Sequence, residues 1–301
     1  MARAGSENFP VASRLLPRSA RANLLAIYGF ARLVDQLGDD GPGDRLANLD
    51  WMESELERAY RGQARHPVMV RLTRALQALG LPDQPFRDLI QANRQDQIVH
   101  RYATFDDLAD YCRLSANPVG HLVLAAFGAA TPERVILSDQ ICTGLQLVEH
   151  WQDVAEDFAA GRVYLPAQDM ERFGCEPSEL RWPVTGPQLR ALMAFQAARA
   201  RLFLDAGSPL IASLRGRPAL AVAGFTAGGQ ATLDAMEASG FDVLASTVHR
   251  SRWGMTRRLV LLVGAALLSP RSRASTARAS RPDNTAGASR PDSTAVRRGR
   301  P

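Results

Sequence analysis

Two runs of polar residues interrupt sequence that is otherwise apolar and helical in pattern. The stretch "LLAIYGFARLVDQLGD" carries Tyr28, Arg32, Asp35 and Asp39 at i, i+4, i+7 and i+11, which at 100° per residue is a fan of about 60° on one helix face. Taken alone, this is also how a solvated strip with an Arg32–Asp35 pair would read. A second stretch, "LQLVEHWQDVAEDFAAGRVYLP", sets Gln146, Glu149, Asp153 and Asp157 at i, i+3, i+7 and i+11, within about 80° of one face. Its three carboxylates repel one another by a few tenths of a kcal/mol (roughly 0.2–0.5) per contact, so a positive partner is expected.

Two acidic faces on separate helices are what a bundle needs to hold divalent ions between them. Oxygen-only ligands favour Mg²⁺ over zinc, and Mg²⁺ completes its shell with water and substrate phosphate, so the expected ligand is a diphosphate. A di-iron bundle would need Glu-x-x-His pairs, and none of the Glu residues has His three positions on. His121 and His150 therefore read as packed or surface residues.

The elements that must carry these faces are helices. A hydrophobic fraction of 46% with 7% aromatics, and no run of alternating β-branched residues, predicts an all-α chain. Pro17 and Ser19 precede the first long helix, Gly62 closes a second and Gly80 a third, and Thr104 with Asp107 makes a capping box. Thr131 and Pro132 start a long helix expected to run to about Ala160, where Gly161 ends it. Further helices are expected over Gln188 to Ala206, Pro209 to Ala227 and Ala231 to Ser239, for about eight to ten in all.

One folded domain over residues 1–269 is expected, followed at 270–301 by a disordered tail. In that tail "ASRPDNTAG" is nearly repeated nine residues later as "ASRPDSTAV". All 36 basic residues are Arg, and residues 271–301 hold eight of them against two Asp. The body is thus close to neutral, and a tail without aromatics is a poor binder of bases, so no nucleic-acid partner is expected. Cys112, Cys142 and Cys175 are widely spaced and read as core residues of a reducing cytoplasm. No apolar signal core opens the chain, which argues for a cytoplasmic location. The longest apolar run, Leu259 to Leu268, is ten residues, about half of a membrane span. With Arg257 and Arg258 before it and Arg271 and Arg273 after it, it suits either a last core helix or a peripheral contact with the inner face of the cytoplasmic membrane.

The blocks "ENFPVASRLLP", "AIYGFARLVDQLGD", "NRQDQIVHRY", "YCRLSANPVG", "GLQLVEHWQDVAEDFAAGRVYLP" and "GGQATLDAMEASGFDVL" resemble, in this order, the squalene/phytoene synthase family of head-to-head prenyl synthases, and most closely its hopanoid-pathway hydroxysqualene synthase branch. The resemblance implies the α-helical isoprenoid (terpenoid) synthase fold, a single helical bundle with two Asp-rich helices facing each other across an apolar tunnel. It implies that Asp35 and Asp39 form the first metal motif, with Asp153, Asp157 and Glu149 in the second. Tyr28, Arg32, Arg162 and Tyr164 are implied as diphosphate contacts, with Gln146 grouped among them, and Tyr111 lies near the reacting carbons. Asp96 falls in a further family block. Gln36 stands where a second adjacent Asp is common, and Glu149 where the family usually has Asn.

What the resemblance implies for function is Mg²⁺-dependent conversion of presqualene diphosphate to hydroxysqualene, with no nicotinamide, alongside other enzymes of the squalene pathway. Condensation of two farnesyl diphosphates to presqualene diphosphate or squalene is the alternative. An inactive helical lipid-binding or scaffold protein is the rival from another class.

Overall fold

Helix punctuation written into the sequence decides where each segment starts and stops. The computed structural model describes residues 18–39, 41, 43–245 and 252–268. Within them the chain runs through α1 (Arg18–Asp39), α2 (Arg45–Tyr60), α3 (Pro67–Leu79), α4 (Gln84–Gln95), α5 (Phe105–Ser115) and α6 (Asn117–Ala126). It continues with α7 (Pro132–Gln152), α8 (Val154–Ala159), α9 (Ala167–Phe173), α10 (Pro187–Gly207), α11 (Pro209–Ser213), α12 (Arg217–Ala238) and α13 (Arg252–Leu268). The described residues hold one isolated bridge, between Arg101 and Val163, and no named strand.

The expected caps are in place. Thr104 and Asp107 form a reciprocal box at the start of α5, and the Thr131 hydroxyl accepts from the Arg134 amide at the start of α7. Asp44 caps α2 by accepting from the Leu46 and Ala47 amides. Gly80 ends α3 in the left-handed conformation, at φ 60°.

Four expected boundaries are corrected. Ser19 lies inside α1, which begins at Arg18. The long helix from Thr131 is interrupted at Asp153, whose φ of −101° and ψ of 17° separate α7 from α8. The segment from Pro209 turns at Leu214 after a single short helix. From Arg217, α12 then runs without a break through Gly228 and Gly229, so the separate helix expected from Ala231 is part of it. Thirteen α-helices among the described residues therefore replace the eight to ten helices expected. The reason for the last correction is packing: a Cβ at Gly229 would lie 2.7 Å from Leu145 and 3.2 Å from Leu204. That glycine serves close helix approach, not a turn.

Two apolar clusters meet along the middle of the molecule. One joins α1–α4 through Phe30, Val34, Leu56, Leu72 and Phe86, with Leu122 of α6. The other gathers α5, α7, α10 and α12 around Leu108, Leu147, Trp151, Leu204 and Leu233. Asp35 and Asp39 belong to the first half, and Asp153 and Asp157 to the second. The residues expected in the tail domain, 270–301, lie outside those described.

Candidate active site

The C-terminal half of α1 is held against α4 by a glycine and two amides. A Cβ at Gly38 would fall 2.4 Å from Asn93 Oδ1, so glycine here leaves Asn93 the room it occupies. Asn93 donates to Asp35 at 3.4 Å, and Gln97 donates to the Gly38 carbonyl at 3.0 Å. These bonds fix the stretch between Asp35 and Asp39. Tyr28 and Asp35 are half-buried and Arg32 and Asp39 exposed, so this face of α1 borders solvent.

On the other side, two backbone hydrogen bonds span the break at Asp153. The Asp153 amide donates to the Glu149 carbonyl at 3.0 Å, and the Asp157 amide donates to the Asp153 carbonyl at 2.8 Å. Asp153 and Asp157 are half-buried and Glu149 is exposed. The chain then folds back, with the Arg162 amide donating to the Asp157 carbonyl at 2.8 Å. That turn aims the Arg162 guanidinium at α1, where Nη1 lies 2.9 Å from Asp39 Oδ1. Arg162 is thus a positive partner for the α1 face, supplied by the turn that follows the second one. Burial disfavours its charge, but the hydrogen bond and charge of Asp39 hold its pKa above the ordinary guanidinium value.

Beneath this pair is a buried aromatic group. Tyr111 donates to Asp96 at 2.7 Å and Tyr164 at 3.4 Å. The Tyr102 ring lies 5.6 Å from that of Tyr111 and 5.8 Å from that of Tyr164. His150 stacks on Tyr164 with centroids 3.7 Å apart, is bonded to Gln146 at 3.2 Å, and reaches to 3.9 Å from Asp157. Burial pushes Asp96 up to about 6, opposed by the Tyr111 hydrogen bond and the charge of Arg162. Burial raises the Tyr111 and Tyr164 phenols and lowers His150, so both tyrosines and the imidazole are neutral at pH 7.

Of the sequence-derived residues, the structure brings Asp39, Arg162, Tyr164, Tyr111 and, through His150, Gln146 and Asp157 into one connected group. Tyr28, Arg32 and Asp35 share the α1 face that leads to it, and Glu149 and Asp153 the α7–α8 face. Asn93 and Tyr102 went unread in the sequence. Their signal lay in the block "NRQDQIVHRY", which places Asn93 and Asp96 three apart at the end of α4. His150 is packed, as expected, and it also links the polar residues on either side of it.

Among the described residues no three acidic, imidazole or thiol side chains form a ready-made metal cage. The half-exposed carboxylates instead match an ion that takes one or two of them and fills its shell with water and phosphate. Arg162 Nε is buried without a hydrogen-bond partner among the described residues. It borders a cavity of about 10 Å³ lined also by His150, Asp157 and Tyr164, room for about one water. A cleft of about 400 Å³ opens beyond Val163 and Leu165, lined by Tyr102, Met170, Cys175 and Glu171 among others.

Known proteins resemble the chain in sequence and fold. A hydroxysqualene synthase of Sinorhizobium fredii is 35% identical over 213 residues, covering 69% of this chain and 72% of that protein. A phytoene synthase of Arthrospira platensis is also 35% identical, over 225 residues, with the same coverage of each chain. The crystal structure of squalene synthase HpnC from Alicyclobacillus acidocaldarius superposes with a TM-score of 0.75 at 42% identity, covering 80% of this chain and 91% of that one. A dehydrosqualene synthase structure, 23% identical with a TM-score of 0.78 over 87% of this chain and 92% of that one, shares the fold. The fold is the helical isoprenoid synthase fold. The family model for squalene/phytoene synthase matches residues 2–256, and with both acidic faces inside that span the chain belongs to the squalene/phytoene synthase family.

Proposed function

We propose that the chain converts presqualene diphosphate to hydroxysqualene and releases diphosphate, with Mg²⁺ held by Asp35, Asp39, Asp153 and Asp157. The observation that carries this is the Arg162–Asp39 pair, which joins the two acidic faces above a buried aromatic group. Bound Mg²⁺ would supply Lewis-acid stabilisation of the charge that develops on the leaving diphosphate. Arg162 and Arg32 add fixed positive charge at the same mouth, and Tyr28 adds a hydroxyl.

When the carbon–oxygen bond ionises, its electron pair leaves with diphosphate and a carbocation remains. Tyr102, Tyr111 and Tyr164 present π faces that lower the energy of a cation by about 0.5–2 kcal/mol each. Water adds to the rearranged cation and loses a proton, for which Asp96 is an acceptor across the 2.7 Å bond from Tyr111. No hydride donor enters this balance, so no nicotinamide is required. The relatives named hydroxysqualene synthase, at 35% and 37% identity, support this step of the pathway.

A second reading, condensation of two prenyl diphosphates, is favoured by the phytoene synthase relative at equal identity. Product analysis separates the two. Presqualene diphosphate with Mg²⁺ in oxygen-18 water and no nicotinamide should give a thirty-carbon alcohol labelled in its hydroxyl. Squalene formed only with NADPH, or a condensation product accumulating from farnesyl or geranylgeranyl diphosphate, would support the second reading instead. Absence of Mg²⁺-dependent diphosphate release would point to a binding or scaffold protein.

A further inference from the structure

From Leu259 onward α13 is apolar on every side. Leu259, Leu262, Val263 and Ala266 pack on the core, while Val260, Leu261 and Leu267 on the outer side are 65%, 56% and 70% exposed. A helix apolar all round belongs inside protein or lipid, yet half of this one faces outward. No described helix is long and apolar enough to cross a membrane.

We propose that the outward face of α13 lies in the plane of an anionic membrane surface and docks the protein there. Charge at both ends of the apolar stripe identifies the occupant. At the N-terminal end, Arg258 and Arg201 already neutralise Asp234. Arg257, 3.7 Å from the same carboxylate and 61% exposed, is therefore surplus charge on the outer side. The Arg258–Asp234 pair joins the first half of α13 to the end of α12, and α13 also packs on α11, which precedes α12, so α12 and α13 run antiparallel. The far end of α13 accordingly lies towards the start of α12, where Arg215, Arg217 and Leu220 are exposed. The sequence then continues into Arg271 and Arg273, and residues 271–301 carry eight Arg with Val296 as their one large aliphatic side chain. Such a tail offers charge to lipid headgroups but little with which to cover the stripe. A second copy packed antiparallel on this face would bring unlike helix ends together that are both basic, and packed parallel would set Arg257 against its counterpart.

The test is flotation of the full chain with vesicles of phosphatidylglycerol and phosphatidylcholine in equal parts, beside phosphatidylcholine alone. The chain should float with the anionic vesicles, and L261E/L267E should reduce the bound fraction by about tenfold or more, since two exposed leucines lose their burial in lipid. Replacing Arg215, Arg217 and Arg257 by Gln should weaken binding in the same direction as added salt. Equal binding by wild type and L261E/L267E, or no binding to anionic vesicles, would overturn the proposal. A dimer seen by sedimentation velocity, lost in L261E/L267E and unaccompanied by flotation, would assign the face to a second copy. Unchanged melting of the variants shows that the fold is kept, and no readout depends on which prenyl substrate is used.

Discussion

Arg162 Nη1 lies 2.9 Å from Asp39 Oδ1, across 123 residues of sequence, and this bond is what joins the two acidic faces. It is only partly shielded, with side-chain exposures of 24% and 48%, so its contribution to stability is screened and small. Under the proposed function, its value would lie in placing a cation where the leaving anion departs. Arg162→Gln should therefore lower kcat/KM by about 10²–10³-fold, the usual effect of losing one electrostatic donor, with melting nearly unchanged. Steady-state kinetics beside a thermal melt checks this. A large fall in melting temperature with normal turnover would make Arg162 a structural residue.

Asp35 and Asp153 are half-buried on opposite faces of the site, and neither belongs to the apolar clusters. Asp35→Asn and Asp153→Asn should each abolish Mg²⁺-dependent turnover while circular dichroism and melting stay close to wild type. Titrating Mg²⁺ against diphosphate release is the measurement. A variant that keeps substantial activity removes that residue from the metal-binding set.

Glu149 is exposed on the face that leads to Asp153, at a position where the family resemblance implies Asn. Glu149→Asn removes one of three carboxylates spaced four apart, relieving repulsion of a few tenths of a kcal/mol (roughly 0.2–0.5) per contact. Activity should hold or rise, and its dependence on Mg²⁺ should vary less with pH. Total loss of activity would establish Glu149 as a ligand in its own right.

These residues also show how far the sequence could be read. The acidic faces were legible because helical spacing alone places Asp35 with Asp39 and Glu149 with Asp157. Caps such as Thr104 with Asp107 are equally local. Arg162 was legible as a basic residue near the second face, but its partner was not, since nothing in the turn after α8 names Asp39. Asn93 and Tyr102 escaped because their roles arise only when α4 meets α1 and α5. The break at Asp153 escaped for another reason: no Gly or Pro marks it, and the Asp153 and Asp157 amides both keep partners four residues back.

Asp96 supplies a pH test. Burial raises its pKa from the ordinary 3.8 to about 6, so the native state holds this proton more tightly than the unfolded chain does. The penalty for burying its charge is absent below about pH 4 and fully present above about pH 6, so the stability tied to the neutral form is lost as pH rises through that window. Asp96→Asn should gain stability relative to wild type between pH 4 and pH 8, by at most roughly 3 kcal/mol for a shift of about two units. It should lose turnover at both, because the proton acceptor for Tyr111 is weakened. Urea denaturation at the two pH values measures the first. A stability difference independent of pH would show that Asp96 titrates normally.

Leu204 of α10 is fully buried and sits between two glycines, Gly144 of α7 and Gly229 of α12. A Cβ on Gly144 would lie 2.9 Å from its side chain and one on Gly229 3.2 Å, with Leu145 closer still to Gly229, at 2.7 Å. Gly229→Ala gains helix propensity, about 1 kcal/mol in an exposed helix, but must overpack this contact at a typical cost of 1–3 kcal/mol. The clash should win, because Leu204 is held from both sides and the near atoms of Leu145 belong to a partly buried core side chain. Leu204→Ala alone should cost about 2–5 kcal/mol by leaving a cavity. Combined, the alanine at 229 would meet space instead of Leu204, so the double variant should be more stable than the sum of the two losses predicts. Urea midpoints for the four proteins complete the cycle, and strict additivity would show that Leu204 is not the atom group that Gly229 accommodates.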